Sequence, residues 1–101
     1  MIIYNVTTKV NWTIHDPWFQ WMKEDHIPRM LQTGCFFEFK ILRLIETDEE
    51  EGPTYAIQYH ASTFAKYQDY LQEYATLLRE HANKHWGDQI ISFRTVMEVL
   101  H

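Results

Sequence analysis

Residues 2–10 read Ile-Ile-Tyr-Asn-Val-Thr-Thr-Lys-Val, and this loose alternation of β-branched and aromatic residues predicts a strand. Thr13 and Asp16 have the spacing of a capping box, and Pro17 suits a first helical turn. The helix they open should run to His26 or Ile27, with Pro28 kinking or ending it and Gly34 closing the segment. On a helical wheel Ile14, Trp18, Trp21 and Met22 share an arc that continues through His15, Phe19 and His26, while Gln20, Lys23 and Glu24 lie outside it. Residues 36–46 form a second predicted strand, with Phe37, Phe39, Ile41 and Ile45 on one face and Glu38, Lys40 and Glu46 on the other. Residues 47–53 hold Asp48, Glu49, Glu50 and Glu51, whose mutual repulsion predicts a solvated hairpin connection. A third strand is expected at 55–61, placing Tyr55, Ile57 and Tyr59 together. Ser62 or Thr63 then caps a helix with the stripe Phe64, Tyr67, Leu71, Tyr74, Leu78 and Ala82, stopped near Gly87. A last strand at 89–100 is expected to turn Ile91, Phe93, Met97 and Val99 inward.

The order β-α-β-β-α-β predicts an α+β fold of the ferredoxin-like, split βαβ kind: a four-stranded antiparallel sheet with two helices on one face. The other face is then bare. The expected register puts Asn5, Thr7, Lys9, Glu38, Lys40, Gln58, His60, Arg94 and Glu98 on it, mixed with Ile3, Leu42, Leu44 and Val96. Such a mixture fits a face that packs on its own twin, so a homodimer closed through the sheets is expected.

Composition narrows the class. At 101 residues the chain suits a single domain, residues 1–101, and its 46% hydrophobic and 23% charged residues argue against disorder. A net charge of -5 with no Lys/Arg cluster disfavours nucleic acid as a partner. No apolar run approaches a membrane span and no signal peptide is expected at the start, so no membrane role is predicted. The lone cysteine fits a reducing cytoplasm.

Ile3-Tyr4-Asn5-Val6, Trp18-Phe19-Gln20-Trp21-Met22 leading to His26-Ile27-Pro28, and Phe93-Arg94-Thr95 with Glu98 resemble a bacterial family of short uncharacterised proteins, a domain of unknown function. The likeness covers nearly the whole chain, and Trp-Met-x-x-x-His-Ile-Pro is its most specific part. A helix-one Trp followed by His-aliphatic-Pro is also similar to the dimeric α/β-barrel superfamily. That likeness implies the same fold and a dimer, with ligands between helices and sheet and a first-helix His, here His26, lining the cavity. The superfamily mixes cofactor-free monooxygenases, haem-degrading enzymes, decarboxylases and proteins without known activity, so it selects no chemistry.

Each candidate residue has a functional and a plain reading. His26 suits a general acid/base or haem ligand, or else caps the last carbonyls of a broken helix as a cation. Trp18, Trp21, Met22, Tyr4, Tyr59 and Phe93 form either an aromatic wall for a ligand or simply core. Arg94 and Glu98 point the same way along a strand, either to bind a carboxylate or to make ion pairs in the dimer interface. His81 and His85 have the spacing to share a metal, but no third ligand is evident, so no metal and no cofactor are expected. Cys35 lacks a visible base and reads as a packed thiol. The resulting expectation is a homodimeric binder of a small molecule. The alternatives are a cofactor-independent monooxygenase-like enzyme using His26 as acid/base, and a structural or regulatory interaction protein.

Overall fold

A computed structural model describes residues 1–101. In chain order it contains β1 (Ile2–Val10), α1 (His15–Trp21), α2 (Ile27–Gln32), β2 (Glu38–Arg43), β3 (Thr54–Ala61), α3 (Phe64–Glu73), α4 (Ala75–Trp86) and β4 (Ile90–Glu98). The four strands form one antiparallel sheet in the order β2-β3-β1-β4. Residues from α1, α2, α3 and α4 all meet the same side of β1, so the helical segments share one sheet face. No helix is long and apolar enough to cross a membrane.

β1 is central, paired with β3 on one edge and β4 on the other, and six of its nine residues are buried, Asn5, Thr7 and Thr8 together with Ile2, Tyr4 and Val10. Pairing fixes the faces. Tyr4 lies opposite Tyr59 on one side and Val96 on the other, and all three point under the helices. The same register sends Ile91, Phe93 and Met97, opposite Lys9, Thr7 and Ile3, to the bare face. The expected inward row of β4 is therefore reversed: Arg94, Val96 and Glu98 lie on the helical side. β4 has large apolar residues on both of its faces, so its own alternation does not set the register, and a one-residue difference exchanges every side chain.

The first helix does not stop at Pro28. Between α1 and α2, Met22–His26 form one wide π-type turn in which the Ile27 N–H reaches the Met22 carbonyl. Proline has no N–H for a regular α-helical bond. Widening the preceding turn lets the chain continue to Gln32. The entry cap is Asn11 rather than Thr13, its side chain accepting from the Thr13 N–H at 2.9 Å. Thr63 caps α3, accepting from the Lys66 N–H at 3.2 Å.

The second helix is broken at Tyr74 (φ -127°, ψ -27°) into α3 and α4. The break rotates the buried stripe. Tyr67, Tyr70 and Ala75 are buried, with Leu78 and Arg79 half-buried after them, whereas Phe64 and Leu71 are exposed. β2 is shorter than expected: Phe36 is buried ahead of it, and Phe37 and Ile45 stand in solvent.

The core between helices and sheet is aromatic. The Tyr4 ring has Phe36, Tyr59, Tyr67 and Tyr70 around it at 5.3–6.2 Å between centroids. Trp18 stacks on Tyr55 at 5.5 Å.

The acidic connection is anchored rather than simply solvated. Arg43 grips the Glu49 carboxylate with two hydrogen bonds, and the Trp12 indole N–H donates to the Glu49 carbonyl at 2.7 Å. Val10 and Trp12 backbone N–H groups donate to the carbonyls of Pro53 and Glu51. Gly52 is buried against β1, and a Cβ there would overlap the Val10 carbonyl. Gly52→Ala must push two backbones apart. We expect a loss of about 2–3 kcal/mol in urea unfolding, as overpacking of backbone typically costs, with an accompanying fall of roughly 10 °C in Tm for a domain of this size.

Candidate functional site

The inner faces of β1, β3 and β4 enclose, with α1, α2 and α4, a cavity of about 50 Å³. Tyr4, Trp18, Trp21, Met22, His26, Tyr59 and Arg94 all line it. Phe93 does not. It stands 61% exposed on the bare sheet face, for the reason of register given above, and is no part of an aromatic wall. At ~10–15 Å³ for each water-sized group, the space holds about three to five of them, far less than the few hundred Å³ of a typical organic-ligand pocket. A hollow of about 450 Å³ lies between α2 and α4, lined among others by Arg29, Gln32, Leu77 and His81, but it is open to solvent and reaches no strand.

His26 ends the wide turn, where the extra backbone atoms of the π geometry turn its ring inward. The imidazole stacks on Trp21 at 4.8 Å and 19°. Trp21 in turn touches the rings of His81, His85 and Trp86. Burial first, and then the charges of His81, Arg29 and Arg94 against that of Asp25, hold His26 down to about 4. Its Nδ1 is buried without a partner. A neutral ring inside a continuing helix cannot be the cationic cap that a broken helix would need, and it makes no cap hydrogen bond.

His81 and His85 do not converge on a shared point for a metal. His81 Nε2 meets Asp25 Oδ2 at 3.0 Å, and His85 Nδ1 donates to the His81 carbonyl at 3.2 Å. Asp25 also accepts from Arg29 Nε at 3.0 Å. His81 first, and Arg29 after it, hold the Asp25 carboxyl below the usual carboxylate range. No three His, Cys, Asp or Glu side chains gather closely enough to hold a metal ion. Cys35 is buried, its Sγ 3.8 Å from the Thr33 carbonyl.

Arg94 makes no ion pair with Glu98. Its Nε donates to the Tyr4 hydroxyl at 3.0 Å, and Arg79 Nη2 donates to the same oxygen at 3.1 Å. Arg79 is the residue the sequence reading passed over. The signal was an arginine between Ala75, Leu78 and Ala82 in the stripe that the Tyr74 break creates. A second unforeseen pair is His15 with Tyr55, joined at 2.7 Å between Nε2 and the phenol oxygen.

His26 makes stability depend on pH. Its folded value lies below the unfolded one, so between about pH 6.5 and 4 the unfolded chain binds a proton that the folded chain refuses, and stability falls as pH falls. The full effect is about 3 kcal/mol. His26→Gln should flatten the decline of Tm between pH 6.5 and 4 relative to wild type. The Asp25 contribution is lost only below that window.

No curated protein and no solved structure matches the chain. The model of a family described as a domain of unknown function, DUF4286, matches residues 1–100, and the chain belongs to that family.

Proposed function

We propose that the chain is a homodimeric small-molecule-binding domain of ferredoxin-like, dimeric α/β-barrel architecture. Support for the architecture comes from the strand order β2-β3-β1-β4 with two helical crossovers over one face. The observation that carries the binding reading is the buried cavity, where Trp21 Nε1, His26 Nδ1 and Arg79 Nε find no partner within the chain. Buried polar groups are normally satisfied. Three that are not, around one space, are what a ligand site offers before it is filled. His26 serves such a site as a neutral hydrogen-bonding group. As a base for an oxygenase it is handicapped, since burial has taken most of its proton affinity at neutral pH.

A second copy is the occupant we assign to the bare sheet face. Exposed Ile91, Phe93, Met97 and Val99 flank it on the β4 side and Phe37 and Leu42 on the β2 side. Between them runs a polar seam with Lys9, Lys40 and Glu38, both signs of charge that a two-fold axis can set against each other. The slab is broad, 38 × 31 Å across and 19 Å deep. A side of 38 × 31 Å is large enough to present the ~800 Å² per partner of a standard interface.

Two measurements test these readings. Light scattering at micromolar concentration should give twice the chain mass of 12.3 kDa, and Phe93→Glu should halve it; a wild-type monomer removes the dimer. Fragments of the size of acetamide should shift the Trp21 indole N–H resonance saturably. Ala82→Val, which adds two methyls beside the cavity, should abolish that shift while leaving Tm nearly unchanged.

A further inference from the structure

Two guanidinium groups share one neutral hydroxyl. The Tyr4 oxygen, 1% exposed at residue level, accepts from both Arg79 and Arg94. Neither arginine has a carboxylate within ion-pair distance; the five ion pairs of the chain all lie elsewhere. Glu98, the nearest acid on the same face of β4, is four residues along the strand from Arg94, about 13 Å away. The arrangement is unbalanced. Two like charges at the edge of a low-dielectric core repel, and a phenol cannot neutralise them.

What surrounds the cavity is also short of acceptors. The Tyr4 oxygen has used its lone pairs on the two arginines, and the hydroxyl of Tyr70 is its remaining hydrogen-bonding neighbour, so it offers neither arginine a negative partner. Arg79 Nε and Trp21 Nε1 are buried donors without acceptors. Tyr70 beside them is held well above the ordinary phenol range by burial and by Tyr4, so it stays protonated and brings no negative charge. Arg94 is exposed on the edge strand, which marks the side by which a solute enters.

We propose that this cavity binds a carboxylate group, clamped by Arg79 and Arg94. The proposal rests on the small-molecule reading and adds the chemistry of the ligand. A carboxylate is planar and its two oxygens match the fork of a guanidinium, giving short charge-assisted bonds. Its size suits about 50 Å³, a space that a tetrahedral phosphate would fill to its limit. It supplies the missing negative charge and the missing acceptors at once.

The test titrates isotope-labelled protein at pH 7 with sodium acetate or with acetamide, its uncharged isostere. Ionic strength is held constant with sodium chloride, and the Trp21 indole N–H is followed by NMR. Acetate should bind at least ~10-fold more tightly than acetamide, and Arg94→Gln should weaken acetate by ~10-fold or more, the range for hydrogen bonds to charged groups. Arg94→Gln, at an exposed edge position, should keep its fold; Arg79→Gln should agree with it, and a Tm within a few degrees of wild type checks both. A hexanoate arm separates sources: undiminished affinity identifies the carboxylate end of a larger molecule, and lost affinity a free short acid. Equal binding of acetate and acetamide would leave the pocket standing and overturn its assignment to carboxylates, as would unchanged acetate affinity in Arg94→Gln. Binding of neither overturns both readings.

Discussion

The Tyr4 side chain holds the rest of the structure in place. It stands at the centre of the central strand, and its ring is the meeting point of Phe36, Tyr59, Tyr67 and Tyr70. Sinking a phenol that deep demands a partner for its oxygen, since an unpaired buried hydroxyl costs about 1–3 kcal/mol. The partners come from two other elements, Arg79 of α4 and Arg94 of β4. One oxygen thus ties the central strand to an edge strand and to the helix α4 that packs over it. The same requirement draws two positive charges to the cavity rim. Satisfying the core and charging the site are one event.

The first helix answers a different constraint. Proline at position 28 would leave a carbonyl of the preceding turn unbonded, and the wide turn at Met22–His26 resolves this without ending the helix. Because a π turn shifts the following residues around the axis, it also decides that His26 lies against Trp21 under the helices rather than in water. There the imidazole loses its proton and becomes a neutral group whose Nδ1 finds no partner in the chain. A backbone accommodation and an unusual side-chain state have the same cause.

Much of this was legible in the sequence. The strands β1 and β3, the element order and the inward side of Tyr4, Tyr55, Ile57 and Tyr59 follow from alternation, and Trp18, Trp21, Met22 and His26 from the helical wheel, whereas the two candidates on β4 were placed on the wrong faces: Phe93 was expected inward and Arg94 on the bare face. What failed shares a physical reason. β4 is apolar on both sides, so its register is set by pairing with β1 and cannot be read from its own pattern. The break at Tyr74 has no glycine or proline to announce it; tertiary packing of Tyr67, Tyr70 and Ala75 imposes it. Arg79 became visible only once that break had rotated the stripe. The anchoring of Gly52 under Val10 is a contact between segments far apart in sequence, which no local rule reports.

The register of β4 links the two surfaces of the sheet. Pairing Val96 with Tyr4 sends Arg94 to the cavity and Phe93 to the bare face together. A slip of one residue would exchange them, burying Phe93 where the arginine now meets Tyr4 and exposing Arg94 among Ile3 and Thr7. The hydroxyl of Tyr4 would then lose one of its two donors, while the bare face would lose the Phe93 ring. Selection for either surface therefore fixes the other, because neighbouring residues of a strand must point apart. This is why an edge strand with no clean alternation of its own can still hold a single register: the side-chain bonds to β1, Arg94 to the Tyr4 phenol, Asn5 to Thr95 and Thr8 to Ser92, together supply the preference that hydrophobic patterning leaves undecided.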